Sequence, residues 1–251
     1  IYQNSVYGAG FKESVYDEIR QLSPDINLSL YKFERADTAE RQLAWESVAA
    51  LEPDGILYLS SDILDITGFI TFLDENPSPN PAPIFLADGA ADEDLLLVNV
   101  DEQVLDRIIG TKPALNESSI FTAFESQLQQ KGYDARANPF TAYTYDATWM
   151  AALGVAWAHF NGDSKSAKNI AQGLRKLSVP TETNVSLGIL GWTTATTSNF
   201  PAGRGINITG ATGELNFDPT TEELSTLVDV WKVENGEIVT IAQCEDTTCF
   251  Q

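Results

Sequence analysis

Residues 53–61 of the chain, PDGILYLSS, combine a turn signal, an apolar run and two serines. The run predicts a β-strand that begins after Gly55 and ends at Ser60. Helical patterns flank this strand, because residues 37–51 begin with a capping aspartate followed three positions later by glutamate, and residues 63–75 form a second helical segment. A strand enclosed by helices is typical of α/β folds.

The same alternation of helices and strands extends in both directions. Residues 10–22 space their apolar side chains at helical intervals, and residues 26–33 alternate in a strand-like way. Residues 84–87 predict another strand that ends at Asp88, and residues 104–113 predict a last one. We therefore expect an α/β fold with a parallel sheet flanked by helices, which binds ligands at the carboxyl ends of its strands.

The pattern changes after Thr111. Residues 118–133 and 142–160 predict two successive helices, the second apolar on most faces, and residues 166–177 predict a third, more polar helix. The C-terminal part predicts a pair of β-hairpins, the second of which turns at Asn235-Gly236.

Composition narrows the choice of partners. The 251 residues carry a formal net charge of −21, which would repel the phosphates of nucleic acids, so no nucleic acid partner is expected. No apolar run reaches the roughly 18 residues needed to cross a bilayer. Cys244 and Cys249 lie close together near the C-terminus, and their spacing favours a disulfide formed in an oxidising compartment over a metal site.

The sequence offers little support for catalysis. The one histidine, His159, follows an apolar stretch and has no obvious nucleophile or acid beside it. No phosphate-binding loop is present, and GAGF at residues 8–11 is too short for a dinucleotide fingerprint. The adjacent acids at 92–94 could hold a cation or act as acid and base, yet such acids more often favour the start of a helix. We expect no enzyme activity, no cofactor and no metal.

The order of the motifs resembles the type I periplasmic binding fold, and within it the substrate-binding proteins of branched-chain amino acid ABC transporters. No single motif is specific, but their order and spacing match over nearly the whole chain. The segments that carry the resemblance are YQNSVYGAGFKESV (2–15), PDGILYLSS (53–61), PIFLADGAADEDLL (83–96), FTAFESQLQQKGY (121–133), YTYDATWMAALGVA (143–156), ITGATGELNFD (208–218) and VWKVENGEIV (230–239).

The resemblance implies two lobes that close on a small solute in a cleft. Residues 1–111 would form a complete second lobe, 112–222 a partial and mostly helical first lobe, and 223–251 the strands that return to the second lobe. The chain would then be N-terminally truncated, with the sheet of the first lobe missing. Much of the apolar segment 149–160 would be partly uncovered as a result.

The resemblance also implies site residues. Tyr7 matches a tyrosine that lines the cleft, and it is expected in a loop before the glycines that start a helix. Asp88 matches the acid that pairs with a ligand ammonium in amino-acid binders, although an Asp-Gly turn could equally use this carboxylate to satisfy its own backbone. Ser60, Ser61 and Asp62 stand where amino-acid binders often place an aromatic residue. They are candidates for contacts with a more polar or cationic solute, or form an ordinary helix cap.

Three functions follow as hypotheses. The first is the solute-binding component of an ABC transporter, periplasmic or at the cell surface, lipid-anchored through the missing N-terminus or free. It would capture a small polar solute such as an amino acid without catalysis and dock on a membrane permease. The second is the ligand-binding ectodomain of a receptor or sensor. The third is an enzyme built on a doubly wound sheet.

Overall fold

The computed structural model describes residues 1–35, 37–115, 117–138, 140–164, 166–245 and 248–250, with the backbone alone for Glu93. In chain order its helices and strands are β1 (Tyr2–Gln3), α1 (Val6–Leu22), β2 (Lys32–Phe33), α2 (Thr38–Ala49), β3 (Ile56–Tyr58), α3 (Ile63–Glu75), β4 (Ile84–Leu86), α4 (Glu102–Leu105), β5 (Ile108–Pro113), α5 (Ser119–Gln129), α6 (Phe140–Asn161), α7 (Ala167–Leu174), β6 (Asn184–Ser186), α8 (Ile189–Thr194), β7 (Asn207–Gly210), β8 (Gly213–Glu214), β9 (Val228–Glu234), β10 (Glu237–Glu245) and β11 (Thr248–Phe250).

The chain divides into two compact units. Unit 1 comprises Ile1–Lys112 and Val228–Gln251, and unit 2 comprises Pro113–Leu227. Among the described residues, none of the helices is long and apolar enough to cross a membrane.

Unit 1 is built on a sheet whose strand order is β11-β10-β9-β5-β4-β3, with β3, β4 and β5 parallel. The parallel pair β1 and β2 joins β3 through a bridge between Tyr2 and Leu59, so the parallel strands follow the order β2-β1-β3-β4-β5. The Gln3 amide donates to the Leu59 carbonyl oxygen at 2.8 Å across this junction. The predicted α/β class and parallel sheet are confirmed.

The core of unit 1 lies between this sheet and helices α2 and α3. Tyr58 of β3 stacks on Phe69 of α3 with 4.4 Å between ring centroids, and Trp45 of α2 lies against the same phenyl ring. Trp231 of β9 is fully buried in the same cluster. Side chains alternate between the faces of a strand, so Leu57 and Phe85 point to the opposite face, where they and α1 line a cavity of about 500 Å³.

Two sequence predictions for unit 1 differ from the structure. Only Lys32 and Phe33 of the predicted strand 26–33 are in a strand, because β1 is two residues long and offers no partner to the earlier ones. Residues 102–105 form a helical turn before β5, so the predicted strand 104–113 begins at Ile108. Asp101 starts this turn by accepting a hydrogen bond from the Gln103 amide at 2.9 Å.

The C-terminal hairpin of unit 1 forms as the sequence predicts. Antiparallel β9 and β10 turn at Asn235 and Gly236, whose φ angles are 53° and 75°. Two positive φ angles are the requirement of a type I′ turn, which asparagine and glycine meet at low cost. Cys244 and Cys249 are joined by a disulfide between paired positions of β10 and β11.

Unit 2 packs helices around the sheet β6-β7-β8, in which β6 and β7 are parallel and β7 and β8 are antiparallel. Asp146 of α6 is buried and closes the β7–β8 turn. Its carboxylate accepts hydrogen bonds from the amides of Ala211 and Thr212, each at 2.8 Å, and from the Thr212 hydroxyl at 2.7 Å. Burial raises the pKa of this carboxyl above its ordinary value. Val155 and Phe160 on the same helix are 41% and 44% exposed, so part of this apolar helix is uncovered.

Candidate functional site

The candidate site lies at the carboxyl ends of the parallel strands of unit 1. In the order β2-β1-β3-β4-β5 the chain reverses its direction of travel between β1 and β3, and in such sheets ligands bind outside the strand ends at that point. The loops that leave β1, β3 and β4 carry Tyr7, Ser60 to Asp62, and Asp88. The topology therefore brings the predicted residues to one edge of one sheet.

Tyr7 and Asp88 are in direct contact although 81 positions separate them. The Tyr7 hydroxyl donates a hydrogen bond to Oδ1 of Asp88. Burial raises the pKa of Tyr7 above its ordinary value, and the bond and negative charge of Asp88 raise it further. The phenol therefore stays protonated at neutral pH and serves as a donor, while the second carboxylate oxygen of Asp88 keeps its lone pairs for another partner.

Tyr7 stands in the first turn of a helix and not in a loop, which corrects the sequence prediction. Helix α1 begins at Val6, because the Ser5 side chain accepts a hydrogen bond from the Gly8 amide at 3.0 Å and caps the helix. Gly8 also lies against the end of β1, where a Cβ atom at this position would meet the Gln3 carbonyl oxygen at 2.1 Å. Because Gly8 packs against β1, the neighbouring residue Tyr7 is held close to the end of this strand.

The three residues after β3 have different environments. Ser60 is fully buried, and its hydroxyl accepts a hydrogen bond from the Asp62 amide at 3.1 Å. Ser61 is exposed, and its hydroxyl lies 3.5 Å from the side-chain oxygen of Gln3. Asp62 caps helix α3 by accepting from the Leu64 amide at 3.1 Å, and its other oxygen pairs with Arg35 at 2.6 Å. Ser61 is thus accessible at the sheet edge, Asp62 keeps 15% of its side chain exposed, and Ser60 is buried.

The loop after β2 adds residues that the sequence analysis did not single out. The Asn4 side chain donates to the carboxylate of Glu34, and Arg35 forms the ion pair with Asp62. Glu34 and Arg35 come directly after Phe33, the last residue of β2. They therefore also lie at the carboxyl end of a parallel strand, where ligands bind in such sheets. Their position after a predicted strand could have identified them, but Glu34 and Arg35 belong to no distinctive sequence motif.

Negative charge exceeds positive charge at this edge. Asp62 is neutralised by Arg35, whereas neither Asp88 nor Glu34 forms an ion pair in the part of the chain that the structure describes. A cationic group entering beside Asp88 would gain a charge-assisted hydrogen bond to a carboxylate that Tyr7 already holds in place. Val6, next to Tyr7 in the chain, and Leu64, two residues after Asp62, are apolar and 97% and 77% exposed.

Within the described ranges, no group of three or more histidine, cysteine, aspartate or glutamate side chains is arranged to hold a metal ion. The predicted acids Asp92 and Asp94 lie in a short helical turn, where Asp92 accepts from the Asp94 amide at 2.9 Å. This contact is that of a helix cap.

No protein-family model matches the chain, and no curated protein is significantly similar to it in sequence. Solved structures do match. A leucine-binding protein, LivK, from Thermotoga maritima has a TM-score of 0.65 at 16% identity over 95% of this chain and 57% of its own. An extracellular ligand-binding receptor from Rhodopseudomonas palustris has a TM-score of 0.60 at 17% identity, covering 95% of this chain and 61% of its own.

A third similar structure is an ABC transporter solute-binding protein from R. palustris in complex with benzoate, with a TM-score of 0.60 at 13% identity over 96% of this chain and 56% of its own. The chain therefore spans about 56–61% of the length of these proteins. At this level of identity the likeness concerns the fold, and the chain has the α/β fold of the type I periplasmic binding proteins.

Proposed function

We propose that the chain is a non-catalytic, extracytoplasmic solute-binding protein that serves an ABC transporter and captures a small solute bearing an ammonium group, such as an amino acid. The observation that carries the proposal is the Tyr7–Asp88 pair at the point where the strand order reverses. A carboxylate held by a neutral donor and lacking a cationic partner in the described chain is suited to bind an ammonium group. We propose that Tyr7, Asp88, Ser61, Asp62 and Glu34 together form the polar wall of the solute site.

The flanking apolar residues support an amino acid more than a purely polar solute. Val6 and Leu64 are close to Tyr7 and Asp62 in sequence and expose most of their surface, and an apolar part of a ligand could cover them. Two proteins of similar fold are described as a leucine-binding protein and as a complex with benzoate. Leucine and benzoate both carry a carboxylate, but only leucine carries an ammonium group. The excess of carboxylates at this edge favours the ligand with an ammonium group.

The disulfide supports a place outside the cytoplasm, and the charge limits the partners. A bond between Cys244 and Cys249 persists in oxidising compartments. The net charge of −21 disfavours binding to nucleic acids. The partner that we propose is the permease of an ABC transporter.

A binding panel tests the proposal. Thermal unfolding of the 251-residue chain is measured with L-leucine, isoamylamine, benzoate and 4-hydroxybenzoate, since a ligand that binds only the folded state raises the melting temperature. We expect leucine to stabilise the chain and benzoate to leave it unchanged. Asp88→Asn keeps the shape and loses the charge, and we expect it to weaken leucine binding by about tenfold to a hundredfold.

Asp94→Asn is the matched control, because it removes one exposed negative charge six residues away without touching the Tyr7–Asp88 pair. It should leave leucine binding as in the wild type. Stabilisation by benzoate without leucine, or equal binding by the Asp88→Asn and Asp94→Asn variants, would contradict the assignment of Asp88.

The second candidate is the ligand-binding domain of a receptor, which the described role of the similar R. palustris protein favours. Transport and sensing would use the same solute-binding residues. They differ in the step after solute capture, so uptake of labelled leucine by cells that carry or lack the gene separates them. Loss of uptake supports transport, and unchanged uptake with an altered transcriptional response supports sensing.

A further inference from the structure

A buried carboxylate lies next to the ends of β1 and β3, which carry part of the candidate site. Asp65, in the first turn of α3, is 2% exposed and accepts hydrogen bonds from three parts of unit 1. They come from the Arg41 guanidinium in α2, the Gln3 side-chain amide at 3.1 Å and the Ser60 hydroxyl at 3.4 Å. Arg41 is itself largely buried, with 22% of its side chain exposed.

This arrangement is costly unless it is complete. A buried charge loses its hydration, and the loss is offset only when a counter-ion and hydrogen-bond donors are all in place. Asp65 has each of them, so its contacts specify one arrangement of the elements that supply the donors. Gln3 ends β1, Ser60 follows β3, and Arg41 stands in the first turn of the helix that follows β2.

The contacts of Asp65 continue to the residues that face the edge. The Gln3 side chain lies within reach of the Ser61 hydroxyl, and the Ser60 hydroxyl accepts from the Asp62 amide. The backbone of Ser60 and Ser61 in turn packs against Gly89, where a Cβ atom would stand 3.0 Å from the Ser60 carbonyl oxygen. Gly89 follows Asp88, so a shift of the loop after β3 displaces the turn that carries Asp88.

We propose that Asp65 is a positioning residue of the solute site, which with Arg41 holds the ends of β1 and β3 together and thereby fixes Ser61, Asp62 and the Asp88 turn. The role in solute binding rests on the proposed function, whereas the positioning of the loops does not. Asp65 itself is buried and does not contact the solute.

A second buried aspartate provides a matched control. Asp229 of β9 is 8% exposed and accepts hydrogen bonds from Gln243 at 2.9 Å and Thr240 at 3.3 Å, both on β10. None of its hydrogen bonds in the described chain goes to the loops after β1, β3 or β4. Asp65→Asn and Asp229→Asn therefore remove the same charge from two buried sites of the same unit, and only the first is tied to the candidate site.

The experiment is hydrogen–deuterium exchange of the 251-residue chain under native conditions, with urea unfolding of each variant as the measure of global stability. We expect Asp65→Asn to speed exchange in segments 60–66 and 86–92 at least tenfold. Asp229→Asn should change these segments less than threefold. Wild-type exchange in both segments for Asp65→Asn, or a rise no larger than its loss of global stability accounts for, would overturn the proposal.

Ser60→Ala keeps the proposal testable if Asp65→Asn does not fold. This substitution leaves the Arg41–Asp65 pair in place and removes the hydroxyl that links Asp65 to the Asp62 amide. We expect faster exchange in the same two segments, and unchanged exchange there would overturn the proposal.

Binding of L-leucine separates the two inferences. If the wild-type chain binds leucine, Asp65→Asn is expected to weaken binding at least tenfold relative to Asp229→Asn, and equal affinities would refute the role of Asp65 in the site. If the wild type binds no member of the panel, the proposed function fails. The exchange data still decide whether Asp65 positions the loops.

Discussion

Alanine substitutions at two glycines of α1 should have opposite effects on the stability of unit 1. Gly10 has no atom within 4 Å of the place that a Cβ would take, whereas at Gly8 that place is 2.1 Å from the Gln3 carbonyl oxygen. Replacing glycine by alanine inside a helix stabilises it by up to about 1 kcal/mol, so Gly10→Ala should raise the free energy of unfolding by this amount.

Gly8→Ala should lower the free energy of unfolding. The helix and the strand end must separate by about 0.9 Å to reach 3.0 Å, the closest approach that real Cβ atoms show. The atom in the way belongs to the backbone and cannot rotate aside, and the same Gln3 oxygen accepts the Ser5 amide at 2.9 Å. Overpacking of this kind costs about 1–3 kcal/mol, so we expect a net loss of about 2 kcal/mol.

Urea unfolding followed by tryptophan fluorescence measures both changes, because Trp45 and Trp231 are buried in the core of unit 1. With a slope of about 1–3 kcal/mol per molar urea, the midpoints of the two variants should differ by about 1–3 M. The same shift of Gln3 displaces Tyr7, so Gly8→Ala should also weaken leucine binding. Equal midpoints, or a Gly8→Ala variant more stable than the wild type, would refute the close contact of α1 with β1.

Three further predictions concern other parts of the chain. In the 251-residue polypeptide the Ile1 amino group donates to the Leu57 carbonyl oxygen at 2.8 Å, and burial lowers its pKa from 8.0 to about 5. The unfolded chain then binds more protons between these values, so the free energy of unfolding should rise by about 3 kcal/mol from pH 5 to pH 8, and urea titrations of an N-terminally acetylated chain, which has no α-amino group to titrate, should lack this rise. Reduction of Cys244–Cys249 should add two hydrogens to the mass and cost at most about 2 kcal/mol because the loop is short; two free thiols before reduction would contradict the bond. Asp146→Ala should destabilise unit 2 by about 3 kcal/mol, because the buried Ala211 amide and the partly buried Thr212 amide lose their acceptor, and a loss below about 1 kcal/mol in urea unfolding would speak against this role.

Local signals in the sequence were sufficient for the frame of unit 1. The turn before Gly55, the cap at Asp62 and the Asn235-Gly236 dipeptide each act within a few residues, and each occurs where the sequence predicts it. The resemblance to known binding proteins supplied Tyr7 and Asp88, and the parallel order of the strands explains why they meet.

Contacts between distant segments were beyond such signals. Nothing near Asp65 in the sequence indicates that Arg41 and Gln3 converge on it, because these partners are brought in by strand order and helix packing. The prediction of a strand at 26–33 was too long for the same reason. A strand needs a neighbouring strand to pair with, and β1 pairs only with Lys32 and Phe33.

The division of unit 1 between the two ends of the chain has a consequence for biosynthesis. Trp231 and Val233 belong to the core of unit 1, yet they emerge from the ribosome after every residue of unit 2. Unit 2 is continuous in sequence, whereas the sheet of unit 1 stays open until β9 is available to pair with β5. The nascent protein therefore leaves the edge of β5 unpaired for about half of its synthesis, and we expect chaperone protection to matter most in that interval.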